Sequence, residues 1–540
     1  MITPENFFLN ETLTALLDAR SQQQGAATAL FDRGTPVSFA QLAQESRRVA
    51  SGLRKLGIGP GDRVALWLPN VPAWLAAFFA CAQLGAIAVS VNTRFRSHEL
   101  ADILQRSGAR ALFFWPEFKG IDFEAILAAC DAAALTSLEA RIAYGETGDD
   151  PVSGVHPVSG VPQGSCRIQY RALAASEPLL VSTATPGAGC ALFTTSGTTK
   201  APKFVLHDQR TVLRHAFDVV QGFGIDADST VLLAPPLCGV FGFCTAMAAL
   251  AAGRPLVMAP AWDPVQAVRD LALHRITHAN GTDEAFAQMV ADPAADFSNV
   301  RFFGFAAFNP AHADLVQRAE ARGLRLTGLY GTSEIQALFA RQDDRLPAAE
   351  RSLAGGRPVS AEARVRVRDP ETGAILPHGA AGELEFYSPR SRMVQYLGNP
   401  AASAEAIDGD GYYLSGDLGY TSADGSFVFL ARMGDALRLG GFLVSPAEIE
   451  DVVQTAPGIA ACQTVAVQGR AGLVPVSFVI LEQGAAFNEA AVLAHVAGRL
   501  AKFKVPARVV PLDAFPVTPG ANATKIQKAR LRELAGALLH

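Results

Sequence analysis

The chain has 540 residues, 49% hydrophobic and 18% charged, with 46 basic against 51 acidic side chains and a formal net charge of −5. That apolar content excludes global disorder, which needs low hydropathy and high net charge. The slight acidic excess leaves no basic footprint for nucleic acid, and at roughly 100–200 residues per domain the length predicts two or more domains.

The N-terminal stretch MITPENFFLNETLTALLDAR lacks the basic and apolar regions of a secretory signal. Residues 38–56 predict a helix with Ser38 as N-cap, 57–62 a turn and 63–68 a strand. Residues 71–91 have the length of a membrane span. Gln83 and Gly85 divide that segment, Pro72 opens its helical half, and residues 86–91 read as a buried strand. No basic cluster flanks it, so it reads as α/β core and not as a membrane span. A helix over 98–107 and a strand over 109–114 follow, and the alternation predicts an α/β sheet.

Residues 144–188 are rich in Gly, Pro and Ser, repeat PVSGV at 151–155 and 157–161, and read as an inserted surface loop. Two copies of five residues are too few for a solenoid. A second doubly wound pattern runs over 190–340, and residues 361–430 predict a small β subdomain. Residues 444–540 predict an α+β unit with helices at 446–455, 488–501 and 525–538 and strands at 461–467 and 474–481. Ser445 and Glu448 have capping-box spacing. Seven cysteines, an odd number with no CxxC pair, read as free thiols in a reducing compartment, hence a cytoplasmic protein.

Three segments carry chemistry. Leu192–Lys203 (LFTTSGTTKAPK) is an apolar strand running into hydroxyls, Gly197 and two lysines, the donors a phosphate needs. It is neither a Walker A loop nor a nucleophile elbow, and an ordinary Ser/Thr-rich turn is the alternative. Gly328–Glu334 (GLYGTSE) offers an aromatic for a base and a carboxylate for Mg²⁺, or a structural turn. Gly411–Gly419 (GYYLSGDLG) places Asp417 among glycines at a turn, either as turn chemistry or as an acceptor for two ribose hydroxyls.

In this order the three segments resemble the adenylate-forming superfamily of acyl-CoA synthetases, luciferases and adenylation domains. The opening region Ala50–Ala88, the hinge-like stretch Arg432–Glu450 (RMGDALRLGGFLVSPAEIE) and the closing stretch Pro516–Lys528 (PVTPGANATKIQK) extend the resemblance over nearly the whole chain. It implies a large N-terminal domain of doubly wound α/β subdomains plus a small β subdomain over 1–433. A smaller mobile α+β domain would occupy 434–540.

The resemblance also implies site roles. Thr195, Ser196, Gly197, Thr198, Thr199 and Lys203 would surround the ATP phosphates, with Thr198 among the catalytic groups. Tyr330, Gly331, Thr332 and Ser333 would lie beside the nucleotide, with Tyr330 at adenine. Glu334 would be catalytic and hold Mg²⁺. Asp417 and Arg432 would meet the ribose, Gly441 would back the pantetheine of coenzyme A, and Lys525 would reach the carboxylate and α-phosphate, with Lys528 as its nearest rival. The implied reaction joins a small carboxylic acid to coenzyme A at the expense of ATP. Loading of a carrier-protein thiol and a nucleotide-binding relative without activity are the alternatives.

The chain departs from the family pattern at Lys200, Phe204, Gly239, Phe305, Gly434 and Thr524. Gly434 stands where the family places its hinge carboxylate or lysine. No Lys or Arg occurs in 239–243 or 303–308, which favours a fatty or apolar aryl acid. Oligomeric state is open.

Overall fold

The computed structural model describes residues 12–145, 166–195, 202–308, 312–434, 437–439, 442–469, 472–497, 499–500, 502–519 and 524–539. The PVSGV repeats, Ser196–Lys200 and Gly441 lie outside them.

Helix Phe39–Lys55 starts where the sequence predicts. Ser38 accepts from the Gln41 N–H, and the Gln41 side chain accepts from the Ser38 N–H. Strand Arg63–Trp67, the buried helix Pro72–Leu84 and strand Ile87–Ser90 follow. Gly85, at φ +66, turns the chain between the last two. Among the described residues no helix is long and apolar enough to cross a membrane.

These strands enter an eight-stranded sheet. Its parallel part runs through Gly189–Thr194, Ile87–Ser90, Arg63–Trp67, Ala111–Phe114, Ala140–Ala143 and Cys166–Gln169. Two corrections follow. Residues 166–174, predicted as loop, are the edge strand Cys166–Gln169 and the helix Tyr170–Ala174. Backbone pairing of Arg141 with Arg167 overrides the polar local composition. The second doubly wound unit also begins later than 190, because Gly189–Thr194 and Phe204–Asp208 form a hairpin in this first sheet.

The second sheet has 13 strands. Thr28–Asp32, Leu256–Met258, Val231–Leu233, His278–Thr282, Phe302–Ala306 and Leu326–Tyr330 form its parallel part. The predicted β subdomain continues it in antiparallel fashion through Ala340–Arg341 and Gly355–Pro358 to Phe427–Arg432, Tyr413–Thr421, Gly382–Tyr387 and Arg364–Arg368.

From residue 437 onward the strands form separate small sheets, chiefly Ile459–Gly469, Gly472–Leu481 and Arg508–Pro511. Two apolar clusters of this region contain no buried residue from before 437. Helix Pro446–Gln454 matches prediction, but Ser445 makes no side-chain cap. Its hydroxyl donates to the Leu430 carbonyl at 3.3 Å and Glu448 pairs with Lys504, so the capping box does not form. Helix Glu489–Ala497 is shorter than predicted, and the last helix is Lys528–Leu539. Residues 524–526, predicted helical, form a strand because Lys525 pairs with Thr518. All seven cysteines are free, and five are buried.

Candidate active site

The hydroxyl-rich segment is the tip of the hairpin Gly189–Thr194/Phe204–Asp208. The Thr195 N–H donates to the Lys203 carbonyl at 3.0 Å, and the Lys203 N–H donates to Thr195 Oγ1 at 3.2 Å. This cross-pair closes the loop and fixes where both residues leave the sheet. The exposed Lys203 ammonium lies 4.4 Å above the Tyr396 ring. Of the loop between them, Ser196, Gly197, Thr198 and Thr199 lie outside the described residues.

The second segment leaves the carboxyl end of strand Leu326–Tyr330, where ligands of open α/β sheets bind. Tyr330 is buried, stacked on Phe386 at 5.2 Å with the edge of Phe427 at 5.1 Å. The ring is therefore largely enclosed by aromatics rather than a free stacking platform. Its phenol donates to Asp417 Oδ2 at 2.5 Å. A Cβ on Gly331 would stand 2.7 Å from the Ala337 Cα, so this turn closes only on glycine. Thr332 Oγ1 accepts from the Glu334 N–H at 3.2 Å.

Several distant segments hold the Glu334 loop. His207 Nε2–H donates to the Ser333 carbonyl at 2.7 Å and His215 Nε2–H to the Ala337 carbonyl at 2.6 Å. Burial lowers both imidazole pKa values, His215 to about 4, which keeps them neutral donors. The Met393 N–H donates to the Glu334 carbonyl at 2.6 Å, and the Tyr396 phenol donates to Glu334 Oε1 at 2.9 Å. Gln336 and Leu338, at φ 63 and 64, are left-handed non-glycine residues that these contacts keep in place. Gln336 also donates to the Thr211 and Ser391 carbonyls. Among the described residues, the second Glu334 carboxylate oxygen accepts no hydrogen bond from a side chain or N–H.

Asp417 corrects the sequence reading. It is a strand residue of Tyr413–Thr421, not a turn residue, and pairs across the sheet with Arg432. Gly416 at φ +65 and a register shift at Leu418/Gly419 kink the strand there. Asp417 is 1% exposed. Arg432 Nη1 lies 2.9 Å from Oδ1 as an ion pair, off hydrogen-bond alignment, so among the described residues this buried oxygen accepts no hydrogen bond. Burial pushes the Asp417 carboxyl up to about 6; the Arg432 charge and the Tyr330 phenol oppose the rise, and the Glu334 charge adds to it.

Direct contacts thus join Lys203 to Glu334 through Tyr396, and Tyr330 to Asp417 and Arg432, and the chain from Tyr330 to Glu334 connects the two groups. Lys525 stands on strand Thr524–Ile526. Lys528, its rival, is engaged elsewhere: its ammonium is 3.0 Å from Glu450 Oε1 and 3.4 Å from the Thr464 carbonyl. His207, His215 and Tyr396 were not among the predicted site residues. Tyr396 lies in a stretch with no motif of its own.

Residues 17–397 match the AMP-binding enzyme family and 448–521 the AMP-binding enzyme C-terminal domain. The chain belongs to the AMP-binding enzyme family. It is an acid–thiol ligase of the acyl-CoA synthetase type. It is 32% identical over 534 residues to the 3-[(3aS,4S,7aS)-7a-methyl-1,5-dioxo-octahydro-1H-inden-4-yl]propanoyl:CoA ligase of Mycobacterium tuberculosis, covering 97% of this chain and 99% of that protein. It is 31% identical over 523 residues to a feruloyl-CoA synthase of an Amycolatopsis species, with 96% and 98% covered. In fold it is similar to ATP-bound MatB of Rhodopseudomonas palustris at a TM-score of 0.82 and 23% identity, over 98% of this chain and 100% of that one.

Proposed function

We propose that this enzyme activates a carboxylic acid with ATP and transfers the acyl group to coenzyme A. The observation that carries this reading is the buried, unbonded Asp417 oxygen. It stands beside Arg432 and is linked through Tyr330 to the segment bearing Glu334. An acceptor left empty in a buried site is costly unless a ligand fills it, and ribose hydroxyls are donors of the right kind.

In the first step a carboxylate oxygen of the acid bonds to the α-phosphorus of ATP, and the bond from that phosphorus to the bridging oxygen breaks to release pyrophosphate. The nucleophile is already ionised, so no general base is needed. Two anions must approach, so positioning and charge neutralisation supply the catalysis. Lys203 and the Thr195–Thr199 loop would neutralise the β- and γ-phosphates, and Lys525 the reacting carboxylate and α-phosphate. Thr198 would donate to a phosphate oxygen. Gly331, Thr332 and Ser333 would follow the nucleotide along the turn.

The Glu334 carboxylate, with one oxygen free of hydrogen bonds, fits a cation that takes few protein carboxylates plus phosphate oxygens. Mg²⁺ bound there would supply further neutralisation of the triphosphate. In the second step the coenzyme A thiolate bonds to the acyl carbon, the bond to the adenylate oxygen breaks, and AMP leaves. Gly441 would border the pantetheine arm. For this chemistry the domain boundary falls between 433 and 434.

The acid we favour is apolar, fatty or aryl. Helix Val240–Ala252 is almost wholly buried and carries no charge, and Phe302 and Ala306 of the adjoining strand belong to the same apolar cluster. Pyrophosphate exchange with a panel of fatty, aryl and dicarboxylic acids tests the first step. Product analysis with and without coenzyme A tests the second. Exchange without thioester would move the acceptor to a carrier-protein thiol; no exchange with any acid would overturn the reading.

A further inference from the structure

Tyr396 touches two predicted ATP-site residues, Lys203 and Glu334, that lie more than a hundred positions apart in the chain. It is buried, on the short edge strand Gln395–Tyr396, paired antiparallel to Phe204–Asp208. Its phenol donates to Glu334 Oε1 at 2.9 Å, and its ring face lies 4.4 Å beneath the Lys203 ammonium. Both groups are also fixed from behind. Lys203 leaves the sheet through its cross-pair with Thr195, and the Glu334 backbone is held by Met393 and, one residue earlier, by His207.

We propose that Tyr396 is a positioning residue for adenylation, fixing the separation between the Lys203 cation and the Glu334 carboxylate and leaving Glu334 a single oxygen for a divalent cation. The inference rests on the function proposed above. A phenol donor locks the rotation of the carboxylate, as hydrogen-bond partners behind metal ligands do. A cation held over an aromatic face keeps its charge at a defined height without losing it. The same ring therefore sets one group for the metal and one for the phosphates. Burial and the Glu334 charge both raise the phenol pKa, so the donor stays protonated throughout the working range.

Tyr396→Phe keeps the ring and removes the donor. We expect kcat of pyrophosphate exchange to fall by about 10- to 100-fold, the usual cost of losing such a partner. Thioester formation from supplied acyl adenylate should fall far less. Calorimetric titration with ATP, with and without Mg²⁺, supplies a readout independent of turnover. The affinity gained on adding Mg²⁺ should shrink about tenfold in the variant. Equal losses in both half-reactions, or an unchanged gain from Mg²⁺, would overturn the proposal.

Tyr396→Leu removes the ring as well. Metal-free ATP should then bind about 2- to 5-fold more weakly than to Tyr396→Phe, the size of an exposed cation–π contact. Equal binding would overturn the Lys203 part, and if the Leu variant does not fold, Tyr396→Met, closer to the ring in volume, takes its place in the same comparison. If the wild type exchanges no pyrophosphate with any acid, the broader functional reading fails, while the calorimetric comparison still decides the role of Tyr396.

Discussion

The Tyr330 phenol donates to the buried Asp417 carboxylate at 2.5 Å, across 87 residues of chain. It ties the turn that carries Glu334 to the strand that carries the ribose candidate.

Burial of this carboxylate sets a pH dependence. Burial raises the Asp417 pKa from an ordinary 3.8 to about 6. The folded state then holds the proton more tightly than the unfolded chain, so the ionised form costs stability, and that cost develops as pH rises from about 4 to 6. Asp417→Asn removes it. Relative to wild type, the variant should gain roughly 2 kcal/mol in urea unfolding on going from pH 4 to pH 8. With the ionised carboxylate as the proposed ribose acceptor, the ATP KM should rise as pH falls below about 6. Tyr330 holds the pKa down, so Tyr330→Phe should move that rise to higher pH. Coincident pH profiles would remove Tyr330 from control of Asp417.

Arg141 yields a stability prediction. It is 1% exposed, and its Nε and both Nη atoms find no hydrogen-bond partner among the described residues. The nearby Glu124 is taken by Arg167 at 2.9 Å. A buried guanidinium with no bonded partner costs more than an apolar chain of similar volume. Arg141→Met should therefore stabilise the protein by about 1–3 kcal/mol, read from the urea midpoint at constant m-value. A lower midpoint would mean that the charge is compensated.

The two closing lysines should separate cleanly. Lys525→Ala should suppress pyrophosphate release while sparing thioester formation from supplied adenylate. Lys528→Ala leaves Glu450, 8% exposed, without its cation, so it should cost about 1–3 kcal/mol of stability and leave the chemistry near normal. The opposite pattern would make Lys528 the active lysine.

Gly434 is the candidate pivot. Its carbonyl accepts from Arg532 at 2.8 Å, and a Cβ built on it would meet nothing within 4 Å. Gly434→Ala should therefore fold normally. Gly434→Pro, with φ fixed near −65°, should slow thioester formation far more than adenylation. Single-turnover rates of the two steps check this, and equal losses would reduce Gly434 to a turn residue.

The sequence alone determined what is local. An N-cap at Ser38, Pro72 at a helix start and Gly85 at its end act within one turn of chain, so spacing reveals them. The hydroxyl-rich loop, GLYGTSE and the Gly-flanked Asp417 stand out in the sequence as site candidates because each lies in a short run of unusual residues. Tertiary structure decided which partners these groups find. Tyr396 reaches Glu334 across 62 residues, and His207 reaches Ser333 across 126. Asp417 left the predicted turn for a strand because Arg432 pairs with it across the sheet. Residues 166–169 left the predicted loop because an edge of the first sheet was open to them. Hydrogen bonds and strand pairings between distant segments leave no periodicity in the chain, and they are fixed only when burial brings otherwise unsatisfied donors and acceptors together.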